Sequence, residues 1–254
     1  MPSSPHLTFI TGASRGLGAA LAAQRLHEGH QVIGISRRAS PELAALAAAR
    51  GARLVQWTLD LTEPEPAAHQ LAEWLGMQDP QAFASATLIN NAGAITLPGP
   101  LADTPLDEAA RGLRVGLEAA LLLCAAFLHA TQAWPVPRKV LNISSGLGRR
   151  AMAGSAVYCA AKAGMDHFTR AVALEQAALP NGARLSSLAP GVIDTDMQIK
   201  LRDANPAAFP ERERFMQLQR LGQLDSPATA ATKVLAYLDR PDFGQAPVAD
   251  VRDA

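Results

Sequence analysis

The chain has 254 residues, with 23 lysines and arginines against 23 aspartates and glutamates, so its formal net charge is zero. This length fits one large domain better than two small ones, and the neutral charge gives no electrostatic reason to expect nucleic acid or anionic lipid as a partner. Charged residues interrupt the apolar stretches within about a dozen residues, and the N-terminus lacks the features of a secretory signal. We therefore expect a cytoplasmic protein with no membrane partner. The two cysteines have no metal-ligand spacing, so we expect no metal site.

Short apolar runs alternate along the chain with longer helical runs. Almost entirely apolar runs of about 5–8 residues are typical of strands buried on both faces. The predicted strands are Leu7–Thr11, Gln31–Ser36, Arg53–Asp60, Ala86–Asn90, Lys139–Ser144 and Arg184–Ala189. The predicted helices are Gly16–Glu28, Pro41–Arg50, Glu65–Leu75, Pro105–Ala133, Ser155–Ala178, Pro206–Arg220 and Ser226–Leu238. This alternation predicts an α/β fold with a doubly wound parallel sheet, helices on both faces, and a ligand beyond the carboxyl ends of the strands.

The first predicted strand runs into a glycine-rich turn, and the first predicted helix begins within that turn. Gly12 permits a tight turn, while Gly16 and Gly18 let the backbone approach a pyrophosphate, which the amides at a helix start attract. Loops also use glycine simply to turn, but the place of this pattern between a strand and a helix favours a dinucleotide site. The residues expected to contact the dinucleotide here are Gly12, Ser14, Arg15, Gly16, Leu17 and Gly18.

The end of the second predicted strand indicates which dinucleotide binds. NAD sites usually place an acid about 20 residues beyond the glycines, where it holds the ribose 2′-hydroxyl. This chain places Ser36, Arg37 and Arg38 there, and Arg15 adds a third positive charge. Arginine binds a 2′-phosphate through two hydrogen bonds, whereas an acid repels it. We therefore expect NADP(H) as the cofactor, rather than two solvated arginines at a strand end.

The next two strands also end in polar residues at the edge where the ligand is expected. The third strand ends in Asp60 and Leu61, and the fourth in Asn90, Asn91, Ala92 and Gly93. The two asparagines either cap and turn the chain or fix the strand that borders the cofactor. Their spacing does not distinguish these roles.

A serine after the fifth strand precedes a tyrosine and a lysine on the following helix. Ser145 lies thirteen residues before Tyr158, and Lys162 lies four residues after it, so the phenol and the ammonium share one helix face. A neighbouring cation favours the phenolate, whose ordinary pKa is about 10, so the pair suits acid/base chemistry near neutral pH. In isolation this spacing more often marks an amphipathic surface, but the nucleotide features upstream favour catalysis, with Ser145 holding a carbonyl oxygen.

Taken together, these motifs resemble the short-chain dehydrogenase/reductase family over nearly the whole chain. The resemblance is carried by TGxxxGxG at 11–18, NNAG at 90–93, the serine before YxxxK, and Pro190-Gly191 followed by Thr195. It implies one Rossmann-fold domain over residues 1–254, with a small helical substrate lid at about residues 197–224. It also implies that Tyr158 donates or accepts the proton, Ser145 orients the carbonyl, and Lys162 binds the nicotinamide ribose and lowers the pKa of Tyr158.

The resemblance assigns the remaining cofactor contacts and also shows one departure. Asp60 and Leu61 would flank the adenine, residues 90–93 would line the adenosine side, and the nicotinamide end would be held by Pro190, Gly191, Ile193 and Thr195. The family usually has an asparagine where this chain has Gly116, and that asparagine anchors a water in the proton relay through the lysine. Either a neighbouring group or a locally irregular helix would have to substitute for it.

Within the family, the chain most resembles the group of sepiapterin reductases and bacterial benzil reductases. The stretches that carry this likeness are 190–198, 218–222, 224–227 and 250–253. In sepiapterin reductases a C-terminal aspartate anchors the pterin ring, and Asp250 lies near that place. We favour the plainer interpretation of Asp250 as a solvated tail residue.

The resulting expectation is an oxidoreductase that uses NADPH to reduce an apolar or aromatic ketone or α-diketone to an alcohol. The alternatives are an NADP-dependent alcohol dehydrogenase working oxidatively, and a low-turnover NADP(H)-binding sensor or scaffold, which only Gly116 favours. The broadly apolar helices predict a homodimer or homotetramer. The apolar residues of the lid either line the substrate pocket or pack the lid onto the domain; they are Met197, Ile199, Phe209, Phe215, Met216 and Leu218. The opposite wall of the pocket is expected to contain Ile95, Leu97 and Met152.

Overall fold

The computed structural model describes residues 4–253, and seven parallel strands form one sheet within them. The strand order is β3-β2-β1-β4-β5-β6-β7. Successive strands are added to one side of β1 as far as β3 and to its other side from β4 onward, so the order switches between β1 and β4. The strands are β1 His6–Thr11, β2 His30–Ser36, β3 Arg53–Thr58, β4 Ser85–Asn90, β5 Arg138–Ile143, β6 Arg184–Ala189 and β7 Val248–Asp250. The first six follow the Rossmann order, which confirms the predicted fold class.

Helices cover both faces of the sheet. They are α1 Gly16–Arg25, α2 Pro41–Ala49, α3 Pro64–Gly76, α4 Leu106–Leu113, α5 Ala119–Ala130, α6 Ala156–Ala177, α7 Asp196–Arg202, α8 Arg212–Arg220 and α9 Pro227–Asp239. One apolar layer packs α1, α2 and α9 against the sheet, and a second packs α3 and α5 against the opposite face. Neighbouring strand residues alternate between these layers, as Phe9 and Ile10 do, because side chains in a strand point to opposite faces.

Apart from shifts of one to three residues at element ends, the observed elements differ from the predicted ones at three places. β7 was not predicted, because a three-residue strand that pairs only with β6 has too few residues to show a periodic pattern. The long helix predicted at 105–133 is interrupted by a π-helical segment at Arg114–Glu118, between α4 and α5. The helix predicted over 206–220 begins only at Arg212, and α7 precedes it.

Among the described residues, Leu106–Ala130 is long and apolar enough to span a membrane by length and composition alone. Charged residues, among them Arg111, Arg114 and Glu118, nevertheless interrupt this segment. Within the fold, Leu123 and Phe127 of the segment are fully buried in the layer between α3 and the sheet. Core helices of this kind pass the same compositional test.

Candidate active site

The carboxyl ends of the strands border a cleft of about 1120 Å³. This edge, where β1 lies between β2 and β4, is the expected ligand position in a doubly wound sheet. Ser145, Tyr158 and Lys162 all line the cleft. So do most residues expected to bind the cofactor, namely Gly12, Ser14, Arg15, Gly16, Leu17, Gly18, Ser36, Arg37, Arg38, Asp60, Leu61, Asn91, Ala92, Gly93, Pro190, Gly191, Ile193 and Thr195.

The glycine-rich turn forms a concave backbone surface at one end of the cleft. Gly12 has a φ of +67°, which side-chain-bearing residues rarely adopt. A Cβ on Gly18 would lie 2.1 Å from the Gly12 carbonyl oxygen, so no larger residue fits there. α1 begins at Gly16 without a side-chain cap, which leaves the first amides of the helix facing the cleft. This arrangement suits a pyrophosphate group.

The two neighbouring asparagines have different environments. The Asn91 side-chain amide donates to the Thr11 carbonyl at 2.9 Å, which ties the end of β4 to the glycine-rich turn while the residue lines the cleft. Asn90 is the exception among the predicted cofactor residues, because it does not line the cleft. Its buried amide donates to Asn142 Oδ1 at 2.9 Å and to the Ala120 carbonyl at 3.2 Å. Asn90 thus joins β4 to β5 and α5 in the core.

Three arginines surround the end of the cleft beyond β2, but they are not equally free. Arg37 and Arg38 are exposed, and the Ser36 hydroxyl fixes the loop by donating to the Arg38 carbonyl at 2.7 Å. Arg15 instead pairs with Asp196 at the start of α7, with Nη1 and Oδ2 2.5 Å apart. The positive charge left for a 2′-phosphate therefore comes mainly from the two adjacent arginines.

Tyr158 and Lys162 lie one turn apart on α6, with the Lys162 Nζ 5.7 Å from the centre of the tyrosine ring. Lys162 is only 3% exposed, and its ammonium donates to the Ile143 carbonyl at 2.7 Å, at the end of β5. Ser145 follows that strand, and its hydroxyl caps a short 3-10 turn by accepting from the Leu147 amide at 3.2 Å. Strand β5 and helix α6 thus bring the three side chains to one wall of the cleft.

Burial governs the protonation of the Tyr158 and Lys162 side chains. Desolvation raises the pKa of Tyr158 to about 12, although a hydrogen bond with Ser145 opposes the rise. Desolvation also lowers the pKa of Lys162 to about 8, while the charge of Asp166 opposes that shift. The pKa of Tyr158 is therefore raised where the resemblance implies a lowering, because loss of hydration outweighs the hydrogen bond with Ser145.

Gly116 lies within the π-helical segment, so the helix is locally irregular at the position of the missing asparagine. The Ala119 amide bonds to the Arg114 carbonyl, five residues back instead of four. A Cβ on Gly116 would lie 3.1 Å from the Cβ of Ala161, the neighbour of Lys162 on α6. The segment therefore packs directly on the helix that carries the tyrosine and the lysine.

The apolar residues considered for the substrate pocket divide into two groups. Ile95, Met152, Met197, Phe215 and Leu218 line the cleft. The other four do not line it: Phe209 is fully buried and stacks on Phe215 at 5.8 Å, Met216 is half-buried, and Leu97 and Ile199 are exposed. Further lining residues not singled out from sequence include Leu147, Arg150 and Leu201. Leu147 and Arg150 could have been predicted to line the cleft, because they closely follow Ser145 in the sequence.

Asp250 is not a solvated tail residue. It ends β7, is 7% exposed and lines the cleft. Arg252 holds both of its oxygens, with Nε 2.8 Å from Oδ1 and Nη2 2.5 Å from Oδ2. These bonds lower the pKa of Asp250. The cleft wall at β7 therefore presents a paired carboxylate, not a free one.

The short chain dehydrogenase family model matches residues 6–206, which is most of the chain. The chain belongs to the short-chain dehydrogenase/reductase family. It is 34% identical over 240 residues to a benzil reductase ((S)-benzoin forming) from Bacillus cereus, covering 94% of this chain and 96% of the relative. It is 31% identical to sepiapterin reductase from Rattus norvegicus, covering 92% and 91%. A short-chain dehydrogenase/reductase crystal structure from Burkholderia vietnamiensis is 36% identical, with a TM-score of 0.65 and 99% of each chain covered.

These comparisons confirm the predicted family and the likeness to benzil and sepiapterin reductases. Family members are oxidoreductases that use an NAD(P) cofactor. The residues of this cleft fit such a dinucleotide, because the glycine-rich turn and the start of α1, which has no side-chain cap, line it and can offer backbone amides to a pyrophosphate. Polar groups then continue along the cleft to Lys162.

Proposed function

We propose that this protein is an NADPH-dependent carbonyl reductase that converts a ketone or α-diketone to an alcohol. The observation that carries the proposal is that Ser145, Tyr158 and Lys162 lie on one wall of the same cleft that the glycine-rich turn and Arg37–Arg38 border. The acid/base group and the dinucleotide surface thus open into one continuous space. The benzil reductase relative supports a diketone substrate.

Each residue of the wall has a distinct role in the proposed reaction. When bound, NADPH supplies the hydride. The Ser145 hydroxyl and the Tyr158 phenol hydrogen-bond the substrate carbonyl oxygen, and Tyr158 donates its proton as negative charge develops there. Because Tyr158 keeps its proton over a wide pH range, it is suited to act as the acid. Lys162 contributes its positive charge beside the phenol and binds the nicotinamide ribose.

The NADPH preference is supported by Arg37 and Arg38, which are exposed at the end of β2 where NAD sites usually have an acid. Asp60 and Leu61 flank the adenine in this proposal, and Pro190, Gly191, Ile193 and Thr195 hold the nicotinamide end.

The proposed substrate is apolar because Ile95, Met152, Met197, Phe215 and Leu218 line the cleft. The last three belong to the segment 197–224, which we assign as the substrate lid. Cytoplasmic location stays a prediction from the sequence.

The decisive experiment measures NADPH oxidation with benzil for wild type, Tyr158→Phe and Tyr237→Phe. Tyr237 is the other of two tyrosines in the chain and bonds to Ser186 at 2.8 Å, on the α9 side of the sheet. We expect Tyr158→Phe to lose activity by about 10²-fold or more, since it removes the proton donor, while Tyr237→Phe keeps it. Equal activity of wild type and Tyr158→Phe would refute the mechanism. NADPH binding without turnover of any diketone would instead support the sensor.

Cofactor preference is tested separately with the double variant Arg37→Ala/Arg38→Ala and the control Arg53→Ala, whose side chain begins β3 at the opposite end of the sheet. We expect the double variant to raise the KM for NADPH by about tenfold or more and to leave the KM for NADH unchanged, because only the 2′-phosphate contacts are lost. A wild type that uses NADH as well as NADPH would overturn the assigned preference.

A further inference from the structure

Asp166 is a buried carboxylate that lies one helical turn after Lys162 on α6. It is 1% exposed, so its charge is almost fully removed from water. Burial of a carboxylate is costly unless hydrogen bonds or an opposite charge compensate it. The arrangement around Asp166 therefore indicates what this residue stabilises.

Each oxygen of the carboxylate faces a different element. Oδ1 accepts a hydrogen bond of 2.6 Å from the Ser187 hydroxyl in the middle of β6. Oδ2 accepts no hydrogen bond from the residues that the structure describes, but it lies 3.6 Å from Nε of Arg149. A Cβ on Gly148 would lie 2.7 Å from Oδ2 and 2.9 Å from the Lys162 carbonyl oxygen. The turn after Ser145 is thus packed directly onto the Asp166 carboxylate.

Arg149 connects this carboxylate to the rest of the site. Its Nη2 lies 3.5 Å from the Ser145 carbonyl oxygen, and its Nη1 donates to the Ala249 carbonyl of β7 at 3.3 Å. The same guanidinium therefore contacts the backbone of the serine, the edge strand and the buried acid.

We propose that Asp166, held by Ser187 and Arg149, is a positioning residue for the active site: its carboxylate supplies the counter-charge for Lys162 and anchors the turn that carries Ser145. The catalytic part of this inference rests on the proposed function. The residue acts through Lys162 and Ser145 and does not line the cleft itself.

The charged groups around Lys162 and Asp166 determine whether a substitution raises or lowers the pKa of Lys162. The charged groups are Asp166 on α6 and Arg149 in the turn after β5. The Tyr158 phenol on α6 and the Ser187 hydroxyl on β6 also lie nearby but are neutral. At β7, Asp250 is neutralised by Arg252. Asp166 raises the pKa of Lys162 against desolvation. We therefore expect removal of the Asp166 charge to lower that pKa further, and removal of the Arg149 cation, which lies 3.6 Å from Asp166, to raise it.

The test is a direct titration of Lys162 by NMR of ¹³C-labelled lysine in the full chain without substrate. The chain has four lysines, Lys139, Lys162, Lys200 and Lys233, so their side-chain signals are few, and Lys162→Arg assigns the one of interest. Lys139 is also partly buried, and its pKa is lowered by desolvation, but it lies on the far side of the sheet by the Leu238 carbonyl. Its titration serves as an internal control.

Four variants separate charge from packing: Asp166→Asn, Arg149→Gln, Ser187→Ala and the exposed control Glu175→Gln on the same helix. We expect the midpoint of Lys162 to fall by about one pH unit in Asp166→Asn and to rise in Arg149→Gln. It should stay constant in Glu175→Gln, and it should move less in Ser187→Ala, which removes a hydrogen bond to Asp166 but no charge, than in Asp166→Asn. The pH profile of kcat should move in the same two directions, and both Asp166→Asn and Arg149→Gln should lower kcat at its plateau.

The proposal fails if Asp166→Asn lowers the melting temperature but leaves the Lys162 midpoint unchanged, since that is the behaviour of a structural hydrogen-bond acceptor. If Asp166→Asn does not fold, Arg149→Gln decides alone, and an unchanged or lowered midpoint overturns the proposal. The NMR titration needs no substrate. Absence of diketone turnover would therefore refute the proposed function, while the Lys162 midpoints would still test the role of Asp166.

Discussion

Loss of hydration moves the pKa values of Tyr158 and Lys162 in opposite directions. The pKa of Tyr158 rises to about 12 and that of Lys162 falls to about 8, because desolvation disfavours the charged form of each. Of these two groups, Lys162 is therefore the first to lose a proton as the pH rises above neutrality. The protonated tyrosine stays available as an acid well beyond that point.

The expected result is that the rate of carbonyl reduction falls as pH increases through about 8, as the Lys162 ammonium is lost. In Lys162→Arg the guanidinium does not titrate in this range, so the fall should move to higher pH, from a lower plateau. Measurement of kcat/KM from pH 6 to pH 10 checks both. An unchanged alkaline limb in Lys162→Arg would assign the titration to another group.

Single residues of the site were predictable from sequence to the extent that their spacing was local. Ser145, Tyr158 and Lys162 follow from a strand end and one helical turn, and the structure brings them together. The contact of Asp166 with Arg149 joins a helix to a loop seventeen residues earlier, and no periodic pattern connects them. The resemblance implies that Asn90 lines the adenosine side together with Asn91, but side chains alternate along a strand and Asn90 points into the core.

At the scale of elements, α4 and the π-helical segment pack closely on α6 through glycines. A Cβ on Gly112 would lie 2.9 Å from Val157 Cγ1 and 3.3 Å from Thr96 Cγ2. Val157 immediately precedes Tyr158 and is stiff at χ1, so it has little freedom to withdraw. This close approach fixes the N-terminal turn of the helix that carries Tyr158.

We expect Gly112→Ala to lower the free energy of unfolding by about 1–3 kcal/mol through overpacking. The control Gly76→Ala should leave it unchanged or raise it slightly, because no atom lies within 4 Å of the added Cβ at the end of α3. Urea unfolding measures both. Adding Val157→Ala to Gly112→Ala should recover part of the loss; if it does not, the contact with Val157 is not the cause.

β1 and β4 were predictable because each is an apolar run buried on both faces, whereas the edge strand β3, with only Trp57 buried, was predictable from its length and its β-branched and aromatic residues. The π-helical segment was not, since the apolar pattern continues through Arg114–Glu118 without a proline or another breaker. β7 is a strand only because its three residues pair with β6, and it places Asp250 at the cleft. The elements missed from sequence are thus those defined by tertiary contacts.

At the scale of the whole molecule, the amino end of the sheet carries a cluster of basic groups. The ring of His30 lies 3.9 Å from that of His27 and 5.0 Å from that of His6. Desolvation, with His27 and Arg25 nearby, lowers the pKa of His30 to about 4. An unfolded histidine binds its proton near pH 6.5, so the unfolded state takes up more protons than the folded state between these values.

Stability should therefore be greatest above pH 6.5 and decline as the pH falls toward 4. We expect the urea midpoint to decrease over this range and His30→Asn to weaken the decrease, with the exposed His129→Asn as a control that leaves it unchanged. If His30→Asn and wild type show the same slope against pH, carboxylates elsewhere account for the acid sensitivity.

The outer faces of α5 and α6 bear on the assembly of the molecule. Leu121 on α5 and Leu174 on α6 are 43% and 76% exposed, while the inner faces of these helices are buried. Exposed apolar helix faces of this kind favour association between copies of one chain. We expect light scattering at micromolar concentration to give a multiple of the 26.7 kDa chain mass. Leu121→Glu/Leu174→Glu should lower that mass, whereas Met77→Glu, which adds the same charge at an exposed residue after α3, should not. A single-chain mass for wild type would mean that the two helices keep these leucines in water, and their apolar character would then need another explanation.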